Sequence, residues 1–400
     1  MLNAAVVGSG SKKLGRTFAG IVLSTVLSAG AFVAPGFAAE SSTAATASPF
    51  FGQVHQNFAT WDLDHNGELS VEEVEKAVNN PAIQGEAAAA AASLRRAVRA
   101  DKSLPPLTEE KIAASLKTTS TKEKPQPKYE SMYESALKKI TSSRKELFVE
   151  ETPRLETVAQ GRMGNCFLLA SLGSCTHCDP SRLKSMFELQ PNGRVLVKFG
   201  TGETMELDLP TDAELAIGAS TANTGLWANM YEKAIGTAML NRSGPGRYPT
   251  PISRISGGGT PSVPLAHLTG HVVRKHSCRD YRTPVDEKGA SAADLDPLRK
   301  DLIAAFAEGR LVVGGCGPKA DQRLVKGIVY LHSYGVLEYD AKTDTVLFWN
   351  PLGTSRTPDG PEGLENGYTV KHGLFRVPLK EAVMWFGSFS IETDEPYKAE

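Results

Sequence analysis

The spacing of apolar and polar positions changes along the chain. In the first part, four segments have the composition or the three-to-four-residue spacing of helices: 50–61, 71–78, 86–99 and 132–147. Near the end, three runs rich in apolar, β-branched and aromatic residues predict strands: 311–315, 326–336 and 345–349. The pattern therefore predicts helical segments first and a strand-rich segment later.

Between these two parts, a polar turn with two glycines runs directly into an apolar helical segment. Gln160 opens the turn, Cys166 stands at the junction, and residues 167–172 are mostly apolar. A helix N-terminus leaves N–H groups unpaired and carries a partial positive charge, which favours the thiolate form of a cysteine. The Gln160 amide and the Cys166 N–H could both donate to the oxygen of a carbonyl under attack. The junction therefore predicts a nucleophilic thiol.

A base and its orienting partner are predicted in the strand-rich part. His332 lies in the strand pattern at 326–336, and a polar turn at 340–344 separates it from a return strand that ends at Asn350. A hairpin of this length brings Asn350 beside His332. Its amide oxygen would then accept from one ring nitrogen and leave the other nitrogen facing the thiol.

These residues resemble a known family. The motifs Q-G-x-x-G-x-C-x-L-L-A from residue 160, H-x-Y-x-V from 332 and N-P-x-G from 350 are similar, in that order, to those of the calpain family of papain-like cysteine peptidases. Intervening stretches are similar as well, so the resemblance covers about 148–392. It implies an α+β fold with a papain-like two-lobed core and an active site in the cleft between the lobes.

The resemblance also implies roles for single residues. Cys166 would be the nucleophile, His332 the general base and acid, Asn350 the orienting residue and Gln160 the oxyanion donor. The implied activity is hydrolysis of peptide bonds in protein or peptide substrates through a thioester.

Three positions depart from the family pattern. Asn165 stands where the family usually has Asp, and Phe167 and Leu352 stand where it usually has Trp. An aromatic ring at position 352 would shield the His–Asn hydrogen bond from water. We therefore expect Leu352 to affect the rate more than the identity of the site.

Residues 62–73 have the pattern of an EF-hand calcium loop. Oxygen-bearing side chains occupy loop positions 1, 3, 5, 9 and 12, glycine occupies position 6, and the backbone carbonyl of position 7 is available. Ca²⁺ requires six to eight oxygen ligands, which this spacing supplies. The predicted ligands are Asp62, Asp64, Asn66, Glu68, Ser70 and Glu73.

EF-hands usually come in pairs, and a second helix-loop-helix pattern does follow at 86–112. With Leu107 at the apolar loop position, Ala100 and Lys102 fall where oxygens are needed, and Lys111 falls where the closing Glu belongs. We therefore expect a degenerate partner that binds no metal, within a small all-α EF-hand domain that precedes the peptidase core.

The predicted domain organisation has five parts. They are a signal peptide at 1–38, a flexible lead-in at 39–48, an EF-hand pair at 49–116, a linker at 117–140 and the calpain-like peptidase at 141–395. Basic residues, a short apolar stretch and a small-residue site with cleavage after Ala38 support the first part over an uncleaved anchor. We therefore expect a secreted or periplasmic protein without stable membrane association.

The totals add few constraints. The 400 residues, of which 41% are hydrophobic, allow a sizeable core, and a formal net charge of −1 gives no reason to expect nucleic acid. We expect a monomer. Besides Cys166 there are four cysteines: Cys175, Cys178, Cys278 and Cys316. The first two form a lone C-x-x-C that could be free, pair as a disulfide or join His276 and Cys278 at zinc, and Cys316 is left unassigned.

Two other functions stay open from sequence. The same Cys–His–Asn set could serve an acyl transferase or amidase, because the cleft chooses the acceptor. A catalytically weak or inactive calpain-like protein could act as a calcium-dependent binding module. Whether calcium is required for activity, and whether the N-terminal region is an inhibitory pro-segment, also stays open.

Overall fold

The structure is a computed structural model that describes residues 48–118, 121, 126–244, 246–282, 294–317 and 325–398. The predicted signal peptide at 1–38 and all of the predicted lead-in except Ser48 lie outside these residues. Among the described residues, no helix combines the length and the apolar character needed to cross a membrane.

Helices dominate the first two thirds of the chain. They are α1 Pro49–Trp61, α2 Val71–Asn79, α3 Gly85–Ala100, α4 Glu109–Lys117, α5 Tyr129–Ser142, α6 Cys166–Cys178, α7 Pro180–Met186, α8 Asp212–Ile217, α9 Trp227–Ser243, α10 Pro251–Ser256, α11 Ser262–Thr269, α12 Asp296–Ala307 and α13 Leu379–Trp385. Two short 3-10 helices lie at Leu155–Thr157 and Cys278–Tyr281.

The strands form two antiparallel sheets. They are β1 Phe187–Leu189, β2 Val195–Lys198, β3 Thr204–Leu207, β4 His271–Ser277, β5 Val312–Cys316, β6 His332–Asp340, β7 Thr345–Trp349, β8 Leu374–Pro378 and β9 Ser388–Pro396. The small sheet has the order β1-β2-β3, and the large sheet has the order β4-β9-β5-β6-β7-β8. Helices first and a large sheet later confirm the α+β class.

Two hydrophobic cores divide the described residues. One core joins α1–α6, α9 and the inner face of the large sheet, and we call this part the helical lobe. The other core lies between the opposite face of the sheet and helices α12 and α13, and we call it the sheet lobe. Because successive strand side chains point to opposite faces, neighbours such as Phe348 and Trp349 belong to different cores.

The structure differs from the expected linker at 117–140. Residues 129–142 form α5, which packs on α3, and the ring of Tyr129 stacks on Phe50 with centroids 4.7 Å apart. Tyr129, Tyr133 and Ile140 are buried in the core of the helical lobe. The helical segment predicted at 132–147 therefore begins and ends earlier, and it packs against α1, α3 and α8.

The structure also shortens the strand predicted at 326–336. Strand β6 begins only at His332, because Leu331 has a positive φ of 52° that interrupts an extended chain. The hydroxyl of Tyr334 accepts a hydrogen bond from the Val329 amide at 2.9 Å, which fixes the preceding turn. His332 is therefore the first residue of its strand rather than an interior one.

Helix α6 packs directly on the large sheet. A Cβ atom at Gly173 would lie 2.3 Å from the ring of Trp349, so the indole covers this glycine closely. On the same helix face, the Ser174 hydroxyl donates to the Val312 carbonyl at 2.7 Å. These contacts fix the helix that begins with Cys166 against the strands that carry His332 and lead to Asn350.

Candidate active site

Cys166 is the first residue of α6, and the residue before it is anchored in the core. Asn165 is fully buried, and its amide nitrogen donates to the Glu232 carboxylate at 2.8 Å. Glu232 also accepts from the backbone N–H of Ala219 at 2.9 Å. An Asp at position 165 would set two carboxylates against each other, so the observed Asn suits its surroundings.

The loop before the nucleophile is held from two sides. The backbone N–H of Gln160 donates to the backbone carbonyl of Pro351 at 2.7 Å, so the first and third sequence motifs meet. A Cβ atom at Gly161 would lie 1.9 Å from the Gly218 carbonyl oxygen, which requires glycine at this position. The conformation of the loop thus depends on backbone contacts with distant segments.

The side chain of Gln160 is engaged within its own loop. Its Nε2 donates to the Met163 carbonyl at 2.7 Å, and among the described residues its buried Oε1 has no hydrogen-bond partner. One amide N–H is therefore committed to the loop, and only the second N–H is left for an oxyanion.

His332 and Asn350 meet as the hairpin predicts. Nε2 of His332 lies 2.8 Å from Oδ1 of Asn350, and both side chains are buried. Since an amide oxygen only accepts, Nε2 carries the proton, and Nδ1 of the neutral ring is left as the acceptor. The same Oδ1 accepts from the Leu352 amide at 3.0 Å, which fixes the orientation of the Asn350 side chain.

The third motif lacks the usual aromatic at position 352, but an aromatic ring does pack on the histidine. Tyr334 lies edge-to-face with His332, with centroids 5.0 Å apart at 89°. Leu352 is 40% exposed. Tyr334 therefore covers one side of the His332 ring, whereas Leu352 has no aromatic ring to place over the His–Asn hydrogen bond.

Cys166 and His332 line one cavity of about 520 Å³. Phe167, Gly259 and Ser333 line it too. A Cβ atom at Gly259 would lie 2.7 Å from the Phe167 ring, so this ring packs directly on a bare backbone. The smaller phenylalanine thus builds the wall where the family usually has tryptophan.

The protonation of the pair follows from burial. Burial raises the pKa of the Cys166 thiol, although hydrogen bonds from the backbone and hydroxyl of Ser333 lower it in part. Burial lowers the pKa of His332, and the hydrogen bond to Asn350 opposes this. Burial therefore outweighs the hydrogen bonds that lower the thiol pKa, and it favours the neutral form of both the thiol and the imidazole.

The predicted calcium loop has its acidic side chains together. Ligand oxygens of Asp62, Asp64 and Glu73 all lie within 4.8 Å of one another. The Gly67 amide donates to Asp62 at 2.8 Å, and Gly67 has the positive φ of 81° that the sharp turn requires. Burial alone would raise the pKa of Asp62, but backbone hydrogen bonds from Gly67 and Asn66 hold it below its usual value.

The remaining predicted ligands shape the same loop. The side-chain oxygen of Asn66 accepts from the backbone N–H of Glu68 at 2.8 Å, which is a hydrogen bond within the loop. Ser70 caps α2, and its hydroxyl donates to Glu73 at 2.8 Å. Leu69 and Leu107 exchange two backbone hydrogen bonds of 2.7 and 3.0 Å, which join this loop to its degenerate partner.

The other cysteines are free thiols, and Cys175, Cys278 and Cys316 are buried. In the described part of the chain, the acidic cluster of the calcium loop is the only group of three or more potential metal ligands, so the zinc alternative finds no support there. His276 instead bonds to Tyr281 at 2.7 Å and Asp301 at 2.9 Å.

Three residues of the site escaped the sequence reasoning. Ser333 contacts the thiol, Glu232 anchors Asn165, and Lys139 of α5 donates to the Gly218 carbonyl at 2.5 Å. Burial raises the pKa of Glu232 to about 7 and lowers that of Lys139 to about 8. The H-S-Y run offered a hint for Ser333, whereas the other two depend on contacts between distant segments.

A thiol at a helix N-terminus and an imidazole held by an amide, both lining one cavity, are the arrangement of papain-like cysteine peptidases. The model of the calpain family cysteine protease matches residues 107–358, which is more than half of the chain. The protein therefore belongs to the calpain family of cysteine proteases. No curated protein matches the chain. The matched range contains Cys166, His332 and Asn350, and the calcium loop precedes it.

Proposed function

We propose that the protein is a calcium-binding cysteine endopeptidase in which Cys166, His332 and Asn350 act together. The observation that carries the proposal is the 2.8 Å contact between His332 Nε2 and Asn350 Oδ1, beside the cavity that Cys166 also lines. It leaves Nδ1 of the imidazole free to accept the thiol proton. Membership of the family supports the same activity.

In the proposed mechanism, His332 Nδ1 takes the thiol proton as Cys166 Sγ attacks the peptide carbonyl. The Cys166 N–H and the second N–H of the Gln160 amide donate to the oxyanion. Protonated His332 gives its proton to the leaving amine, and a thioester remains. His332 then activates a water molecule that hydrolyses the thioester and restores the thiol.

We infer that the loop at 62–73 binds Ca²⁺ through Asp62, Asp64, Asn66, the Glu68 carbonyl, Ser70 and Glu73. The three clustered carboxylates and the glycine turn fit a hard cation that prefers oxygen ligands. When bound, Ca²⁺ would neutralise these carboxylates and fix the loop between α1 and α2.

We also propose that the mature protein is secreted or periplasmic, works as a monomer and acts on protein or peptide substrates. The signal-peptide pattern of residues 1–38 supports secretion or export to the periplasm. Size-exclusion chromatography tests the monomer, and N-terminal sequencing of the expressed protein tests cleavage after Ala38.

The test of the activity is casein hydrolysis by the chain from Ala39 onward, under reducing conditions, with Ca²⁺ and with chelator. Cys166→Ala should lower the rate by about 10⁴-fold or more, because the nucleophile is removed. Cys178→Ala is the matched control, since Cys178 is also a half-buried free thiol but lies outside the cavity. The chelator arm reports whether calcium is required.

Two outcomes would favour the alternatives. Consumption of substrate amide without new peptide ends would indicate transfer to another acceptor. Retained calcium binding without cleavage, and without reaction of Cys166 with a thiol probe, would indicate a binding module.

A further inference from the structure

A second cavity adjoins the active-site cavity. It has a volume of about 390 Å³, and Arg247, Tyr248 and Arg254 line it. Gly258 borders both cavities, so the two are neighbours at this residue. A peptide bound along the first cavity would pass beside the second.

The two arginines of the second cavity are arranged around one aromatic ring. The guanidinium carbons of Arg247 and Arg254 lie 4.8 and 5.3 Å from the ring centroid of Tyr248. The tyrosine itself is fixed, because a Cβ atom at Gly257 would lie 2.3 Å from its hydroxyl oxygen. Stacking on a fixed ring orients a guanidinium and leaves its N–H edge available to a ligand.

Further arginines lie on neighbouring segments. Arg99 donates to the carbonyl of Ser256 at 2.8 Å, at the end of α10, the helix that holds Arg254. Arg162 lies on the nucleophile loop, and its charge, together with burial, lowers the pKa of Arg96. The two positive side chains are therefore close enough to repel each other.

In the part of the chain that the structure describes, none of these five arginines has a carboxylate within ion-pair distance. They are Arg96, Arg99, Arg162, Arg247 and Arg254, and they differ in this from buried Arg95, which pairs with Glu75 at 2.7 Å. In the active-site cavity, the described lining residues include Lys275 and no Asp or Glu. An anionic ligand would relieve this accumulation of positive charge.

We propose that Arg247 and Arg254, stacked on Tyr248, form a substrate subsite that binds a carboxylate or phosphate side chain near the scissile bond. We call this pair and its tyrosine the arginine subsite. The inference rests on the proposed peptidase function and names the substrate class as acidic or phosphorylated peptide segments. A peptide is favoured over a free anion because the subsite borders, at Gly258, the cavity that Cys166 lines.

Binding to the Cys166→Ala protein tests the inference without requiring catalysis. Fluorescence anisotropy compares labelled peptides that differ only in Glu against Gln, or phosphoserine against serine, at one position scanned through the sequence. At low salt, the acidic member should bind about 5- to 20-fold more tightly at one or two positions. This preference should shrink as salt is added, because salt screens exposed charges.

Arg247→Gln combined with Arg254→Gln should reduce the ratio to about one. Arg194→Gln is the control. Arg194 lines neither cavity, so removing its positive charge should leave the ratio of the two peptide affinities unchanged. Thermal melts show whether each variant is folded. If the double variant does not fold, the salt dependence of the peptide preference still tests the inference, because it is measured with both arginines in place.

Equal binding of the paired peptides at every position would overturn the inference. Inorganic phosphate is the second arm: if phosphate binds at this cavity while the paired peptides bind equally, the site holds a free anion and the subsite proposal is wrong. Failure of the proposed function is seen separately, as absence of cleavage by the protein with Cys166 intact.

Discussion

At the scale of single residues, the state of the Cys166 thiol depends on Ser333. Burial raises the thiol pKa, and hydrogen bonds from the Ser333 backbone and hydroxyl work in the opposite direction. The reactive thiolate therefore forms as the pH rises, and Ser333 lowers the pH at which it forms. Ser333 is a positioning residue that follows the base directly in the chain.

Ser333→Ala should raise the thiol pKa further, because one donor to the thiolate is lost. The rate of alkylation by iodoacetamide, measured from pH 6 to 10, should show a midpoint shifted upward and a rate at pH 7 that is about 3- to 10-fold lower. Ser388→Ala is the control, since Ser388 lines the same cavity. Coincident profiles for the two variants would contradict the assignment.

Single residues were also where the sequence was most informative. Cys166, His332 and Asn350 carry chemistry in short local motifs, and the structure brings the last two into contact. The partner of Asn165 could not be predicted, because Glu232 lies on another helix and meets it only in the folded core. Calcium binding and the roles in catalysis stay predictions.

At the scale of elements, the site depends on how closely α6 approaches the large sheet. Gly173 faces Trp349 across this interface, and any side chain there would meet the indole. Since Cys166 begins α6 and Asn350 follows β7, the same contact sets the separation between the two halves of the site.

Gly173→Ala should displace α6 and reduce both activity and stability. We expect a loss of about 1–3 kcal/mol in the free energy of unfolding from overpacking, and a fall in kcat/KM of up to about 100-fold from misplacement of the thiol. Gly52→Ala in α1 is the control, because nothing lies within 4 Å of its added Cβ atom. Urea unfolding and peptide hydrolysis measure the two quantities. An unchanged kcat/KM in Gly173→Ala would show that activity does not depend on how closely α6 packs on the large sheet.

Element bounds were predictable where the local pattern was strong. Helices α1 to α3 and strands β5 and β7 fall within a few residues of their predicted positions. The exceptions have tertiary causes: α5 was partly assigned to a linker because its partners are distant helices, and β6 was extended across the strained turn at Leu331.

At the scale of the whole molecule, helices α1 to α4 share one hydrophobic core with α6, the helix that begins at Cys166. The sequence predicted a separate calcium module because the segment at 118–128 has a linker composition. Composition does not show that Tyr129 returns to stack on Phe50. The predicted calcium loop therefore adjoins helices that pack in the same core as the helix of Cys166.

This linkage predicts that calcium stabilises the described fold as one unit. Ca²⁺ at about 100 times its Kd should raise the free energy of unfolding by about 2.7 kcal/mol and shift a single thermal transition. Glu73→Gln should abolish most of the shift while keeping the helix cap, since Gln also serves in a capping box. Glu72→Gln, at an exposed neighbour, is the control. Two separate transitions, of which only one responds to calcium, would contradict a shared core.

The central claim is that Cys166 is a nucleophile activated by His332, and covalent labelling tests it most directly. The protein is treated with a peptidyl electrophile under reducing conditions, and the labelled residue is identified by peptide mapping. The account predicts about one label per chain on Cys166, with labelling at least about 10-fold slower in His332→Ala. Labelling of Cys178 instead, or an equal rate in His332→Ala, would contradict it.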